Sequence, residues 1–197
     1  NEMMKLTGSA FLLALSAMAP ASAAPACEPG NGGLTLPKGF CAMVAANNIG
    51  SARHAVAAAN GDLYVALRAN GGVPGGVVAL HDSKGDGHFD VQQKFGDGSA
   101  TGIGLHDGYL YVARPTAVIR YKMTPGQLVP TGQPETVVSG FDNAREHSDK
   151  GLAFDDRGAL YVNVGSPSNA CQTRDRQKGS PGQDPCPVLE KHSGIWK

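Results

Sequence analysis

The chain has 197 residues, with 17 Lys plus Arg against 17 Asp plus Glu and a formal net charge of zero. That balance, with no polybasic run, argues against nucleic acid or an anionic membrane as partner and favours a small neutral molecule or another protein. The 27 glycines and 13 prolines suit many short strands joined by turns.

At the N-terminus Lys5 precedes an apolar run through Phe11, Leu12, Leu13, Ala14 and Leu15, followed by Ala21-Ser22-Ala23. This order of charge, apolar stretch and small residues predicts a signal peptide over residues 1–23, cleaved near Ala23 or Ala24. The run is too short to span a bilayer and is closed by Pro20. The expected location is periplasmic or secreted. Residues 24–197 then form the N-terminal part of one propeller domain, for the reasons below.

Four cysteines fall into two local pairs, Cys27 with Cys41 and Cys171 with Cys186. In an exported chain these read as disulfides, each closing a loop of about 15 residues and contributing on the order of 3 kcal/mol in the chain-entropy model. Zinc is the rival, but no Cys-x-x-Cys is present.

One phrase occurs three times: AsnGlyAspLeuTyrValAla at 60–66, AspGlyTyrLeuTyrValAla at 107–113 and ArgGlyAlaLeuTyrValAsn at 157–163. A repeat of this period, with a glycine turn before an alternating strand, predicts four-stranded antiparallel propeller blades. First strands are expected at Ala55–Ala59, Gly102–Leu105 and Gly151–Phe154, where Ala and Gly suit the crowded axis. Third strands follow at Val77–Leu80, Val118–Tyr121 and from Gly194, and fourth strands at Gln92–Phe95 and Glu135–Val138. The strand opening at Gly194 and the end of the sequence at Lys197 predict further blades downstream, this chain holding about the first three.

Antiparallel order puts the start of each first strand and the end of each second strand at one rim. That rim collects Arg53 and His54 with Arg68, the 97–101 segment with Arg114, and 147–150 with 166–169. The third group runs into a connection of more than twenty residues with little apolar periodicity, spanned by Cys171 and Cys186. A long connection held in order points to function. Within the group, His147 carries an imidazole, the side chain most often used as a general base. Arg53 and Lys150 share one repeat register, counted back from the Leu of each Leu-Tyr-Val, as basic rim residues suited to an anionic cofactor or a polar sugar. Asn169 is a hydrogen-bonding candidate after Gly165-Ser166. The Asp82–Asp90 stretch has alternating carboxylates, but lacks the ligand run and terminal Glu of a calcium loop and reads as a polar hairpin turn.

The stretch from His147 to Asn169 resembles the His…(Arg/Lys)-x-Leu-x-Phe…Gly-x-Leu-Tyr-Val-x-Val-Gly-Ser-x-x-Asn segment of the sorbosone and soluble glucose dehydrogenase family, and residues 52–68 are similar to its first blade. The resemblance implies a six-bladed all-β propeller that holds pyrroloquinoline quinone with calcium and oxidises a sugar, polyol or sugar aldehyde, passing electrons to a further acceptor. It places the general base at His147 and suggests ligand contacts from Arg53, Lys150, Ser166 and Asn169. Lys150 stands where many relatives carry Arg, a point charge in place of a bidentate fork. The main quinone and calcium ligands are expected beyond Lys197, with no metal ligand in this part. The alternatives are a calcium-dependent lactonase-like hydrolase and a non-enzymatic ligand-binding propeller.

Overall fold

A computed structural model of the protein describes residues 26–143, 146–189 and 193–197. The signal peptide expected over 1–23 lies outside the described residues. The first sheet contains β1 (Ala52–Ala57), β2 (Leu63–Leu67), β3 (Gly76–His81) and β4 (Val91–Phe95). The second contains β5 (Gly102–His106), β6 (Tyr109–Ala113), β7 (Ala117–Lys122) and β8 (Glu135–Ser139), and the third β9 (Leu152–Phe154), β10 (Leu160–Val164) and β11 (Gly194–Trp196). Within each sheet the strands pair antiparallel in chain order.

The Leu-Tyr-Val phrase is the second strand of every sheet, as the repeat predicts. The segment from Gly194 pairs with β10 as a third strand. β1 ends before Ala58 because the Ala58 amide donates to the Asp62 carbonyl and the Gly61 amide to the Ala58 carbonyl, closing the turn earlier than expected.

Side chains alternate across a strand, and here both faces are used. Tyr64 and Ala66 of β2 pack with Leu110 and Val112 of β6, joining sheets one and two. Tyr111 and Ala113, the alternate residues of β6, pack with Val162 and Val164 of β10, joining sheets two and three. On the outer side of sheet one, Val65 and Leu67 pack with Val78 and Leu80 beneath Ala46, Ile49 and Phe89. Strands buried on both faces explain why the repeat reads as a nearly continuous apolar run. Burying each Val or Leu contributes roughly 1.5–3 kcal/mol.

The first strands of successive sheets lie against one another, β1 against β5 and β5 against β9. Glycine permits that approach. A β-carbon on Gly102 would overlap the Lys150 carbonyl oxygen, and one on Gly104 would stand 3.1 Å from the Phe154 ring.

Both expected disulfides are formed, Cys27–Cys41 with Cα atoms 5.6 Å apart and Cys171–Cys186 with Cα atoms 5.8 Å apart. The Asp82–Asp90 connection is a hairpin turn held by its own carboxylates. Asp82 accepts from the amides of Lys84, Gly85, Asp86 and Gly87, and Asp90 accepts from the Ser83 amide and hydroxyl. Bonds from the Ser83 amide and then its hydroxyl bring the Asp90 carboxyl down to about 2. The turn also clamps the N-terminal segment, since the Phe89 amide donates to the Ala45 carbonyl.

Candidate active-site cleft

An open cleft of about 650 Å³ lies at the expected rim, lined by Arg68, His147, Ser148, Asp149, Asn163, Gly165 and Ser166. His147 and Ser166 were expected there from the sequence. His147 adopts a left-handed φ of 50°, and its Nδ1 lies 2.7 Å from the Ser166 carbonyl oxygen. A carbonyl can only accept, so in the neutral imidazole Nδ1 carries the proton and Nε2 the lone pair.

The segment carrying His147 is tied down on every side. The Lys150 amide donates to the buried Thr101 hydroxyl at 3.0 Å, and the Gly151 amide to the Asn163 side-chain oxygen. Glu146 pairs with Arg176 at 2.7 Å, which docks the long connection beside the histidine. That connection is itself ordered. Besides Cys171–Cys186, the Ser168 hydroxyl donates to Asp175 at 2.6 Å and the Gln172 amide to the Ser180 carbonyl at 2.9 Å.

Arg53 does not line the cleft but pairs with Asp149, which does, while Arg68 stands 3.6 Å from the other oxygen of the same carboxylate. The expectation for Lys150 as a rim residue is corrected. Its side chain is buried, with the ammonium donating to the Pro115 carbonyl at 2.7 Å and the Ser148 carbonyl at 3.0 Å, and lying 5.2 Å above the Phe141 ring. Desolvation by burial, partly offset by the Asp149 charge, holds its pKa below the ordinary lysine value. Equal register did not give equal placement: β1 has a register shift between Ala52 and Ala55, and Arg53 within it reaches Asp149, whereas Lys150 is buried. Asn169 is exposed on the connection, outside the cleft lining.

Asn163, Asp149 and Arg68 complete the cleft. Asn163 had a signal in the sequence, since it replaces the alanine that ends the other two copies, and both Ala66 and Ala113 are fully buried. Asp149 fell in the expected rim group but nothing local marked it, because its pairing depends on Arg53 and Arg68, far earlier in the chain, which only the fold brings near.

Consecutive antiparallel sheets with adjoining first strands and a polar cleft at one rim define a propeller-type all-β domain. The chain belongs to the TrAA12-like family, whose sequence model matches residues 34–181. Among solved structures it is similar to the holo PQQ domain of a pyranose dehydrogenase from Coprinopsis cinerea, with 17% identity and a TM-score of 0.53 over 63% of this chain and 30% of that one. It is also similar to the calcium structure of a Carbohydrate-Active Enzymes family AA12 protein from Trichoderma reesei, with 21% identity and a TM-score of 0.55 over 77% of this chain and 38% of that one. The iodide structure from the same fungus matches with 21% identity and a TM-score of 0.55 over 82% and 41%. This chain therefore spans between 30% and 41% of the length of these structures. A search of curated protein sequences finds no match.

Proposed function

We propose that the chain is part of an exported, quinone-dependent oxidoreductase that oxidises a sugar, polyol or sugar aldehyde, with His147 as the general base. The observation that carries the reading is the locked histidine: Nδ1–H is held on the Ser166 carbonyl, which leaves a basic Nε2 in a polar cleft. Membership of the TrAA12-like family and likeness to a PQQ domain support the choice of chemistry. The full protein on this reading is a six-bladed propeller, and its second substrate is an electron acceptor.

The donors present suit a planar, carboxylate-bearing quinone. Arg68 offers a guanidinium fork in the cleft and Arg53 another beside it on Asp149, and Asn163 and Ser166 add neutral polar groups; the reading keeps Asn169, on the adjoining connection, as a further amide. Calcium is different. Its main ligands are expected beyond Lys197, as the family resemblance implies.

When bound, the quinone supplies the acceptor for a hydride. The protein's own part is to orient the substrate carbinol and take its proton. His147 accepts that proton on Nε2 as the C–H bond gives up its hydride, and the imidazolium formed stays hydrogen-bonded to Ser166. The Gly151 and Lys150 tethers keep the base from turning away. Lys150 acts here by holding the backbone, not by touching the ligand.

The test is dye reduction by the purified full-length protein, with and without pyrroloquinoline quinone plus calcium, over aldoses, polyols and sorbosone, beside His147→Ala. Turnover that requires the cofactor and falls by about two orders of magnitude or more in the variant is expected. Cofactor-independent turnover, or an unaffected variant, would overturn the reading.

A further inference from the structure

Among the described residues Asp149 is the one carboxylate in the cleft lining, and it meets guanidinium groups from two places at the first sheet. Building on the function proposed above, we propose that Asp149 is a positioning residue, which holds Arg53 and Arg68 as a preset pair to receive a carboxylate group of the ligand.

The argument starts from which partner is rigid. Asp149 sits between His147, fixed on Ser166, and Lys150, fixed by Thr101, Pro115 and Ser148. Arg53 and Arg68 have side chains that are 37% and 41% exposed, long enough to sample many rotamers unless something fixes them. The carboxylate is the anchor and the arginines are what it anchors.

Charge counting gives the second step. Two guanidiniums on one carboxylate leave an excess positive charge at the cleft mouth. The pairing is also unequal. Arg53 is hydrogen-bonded to Oδ2, whereas Arg68 stays 3.6 Å from Oδ1, beyond hydrogen-bond range, and among the described residues that buried oxygen has no hydrogen-bond donor. The Arg68 fork is thus oriented by Asp149 without being consumed by it, and it lines the cleft itself. A ligand carboxylate approaching the cleft finds an oriented donor pair whose ordering is already done.

A competing role for Asp149 predicts the opposite response. If the carboxylate merely occupied the arginines, its removal would release them and strengthen anion binding. Asp149→Asn is nearly isosteric and makes the cleft more positive by one charge, so simple electrostatics favours tighter binding of an anion. Positioning requires weaker binding despite the added charge.

The experiment has two arms on purified full-length protein. Arginine modification by phenylglyoxal, followed by peptide mass spectrometry, needs no cofactor. In Asp149→Asn the rates at Arg53 and Arg68 should rise several-fold relative to the exposed Arg157, and in Asp149→Glu they should stay near wild type. Binding of pyrroloquinoline quinone by fluorescence titration should weaken by roughly fivefold in Asp149→Asn and recover in Asp149→Glu. Unchanged modification rates, or equal or tighter binding in Asp149→Asn, would overturn the proposal. A wild-type protein that binds no quinone would overturn the proposed function instead, and the modification arm would still decide whether Asp149 holds the arginines.

Discussion

His147 turns through a left-handed backbone directly against Gly165, so that a β-carbon on Gly165 would overlap the His147 β-carbon and crowd its carbonyl oxygen at 2.7 Å. The contact links the segment leading into β9 to the residue after β10 and sets how closely the histidine can approach Ser166. Gly165→Ala should displace the imidazole, costing about 1–3 kcal/mol of stability through overpacking. Turnover should fall by about tenfold or more, since misplacing a base by an ångström is enough. Gly132→Ala, where a β-carbon meets nothing within 4 Å, is the control and should leave the melting temperature and activity unchanged. Equal effects in both variants would show that the Gly165 contact is not what seats the histidine.

Asn163 supplies the other side of the seat by accepting the Gly151 amide. Asn163→Ala restores the alanine found in the other two copies of the repeat, yet it leaves that amide without its protein partner. A cost of about 1 kcal/mol in urea unfolding is expected, with a larger proportional loss in turnover because the His147 segment loosens. A variant more stable than wild type and equally active would show that the asparagine is an incidental departure from the repeat.

The repeat made the architecture legible because the second strands of sheets one and two are buried on both faces, which writes the Leu-Tyr-Val phrase plainly into the sequence. The rim was legible from antiparallel order alone, and His147 and Ser166 meet there as expected. What the sequence hid was direction. Arg53 and Lys150 share a register, but Arg53, at a register shift in β1, reaches Asp149 while Lys150 reaches inward to the Pro115 carbonyl. Contacts such as Arg68 with Asp149 depend on how sheets one and three come together, and no local pattern records that distance.

The Cys171–Cys186 bridge closes a separation of 15 residues within a connection that has little core of its own. Chain entropy assigns such a loop about 3 kcal/mol. Replacing both cysteines with serine should open residues 172–185 to limited proteolysis and release the Arg176–Glu146 pair beside the histidine. The sheets carry the main apolar clusters, so the far-ultraviolet circular dichroism should be retained. Cleavage sites mapped by mass spectrometry that fall in the sheets instead would show that the bridge supports the whole domain.

Lys150 gives a prediction with a defined sign. Burial disfavours its ammonium, so its folded pKa lies below the ordinary 10.5 and the folded state binds fewer protons than the unfolded state between those two values. The penalty is fully present below the folded pKa and is relieved as pH rises through it towards 10.5, so this group makes stability increase with pH in that alkaline window. Lys150→Met removes the titration and also leaves the Pro115 and Ser148 carbonyls without their donor. At pH 7 the variant should be less stable by about 1–3 kcal/mol, the cost of unpaired buried acceptors. Urea midpoints of the two proteins, taken from pH 7 to 10.5, should diverge as the wild type gains, because every other titrating group is common to both. A constant difference across that range would mean that the Lys150 ammonium is solvated and that the carbonyls alone account for its burial.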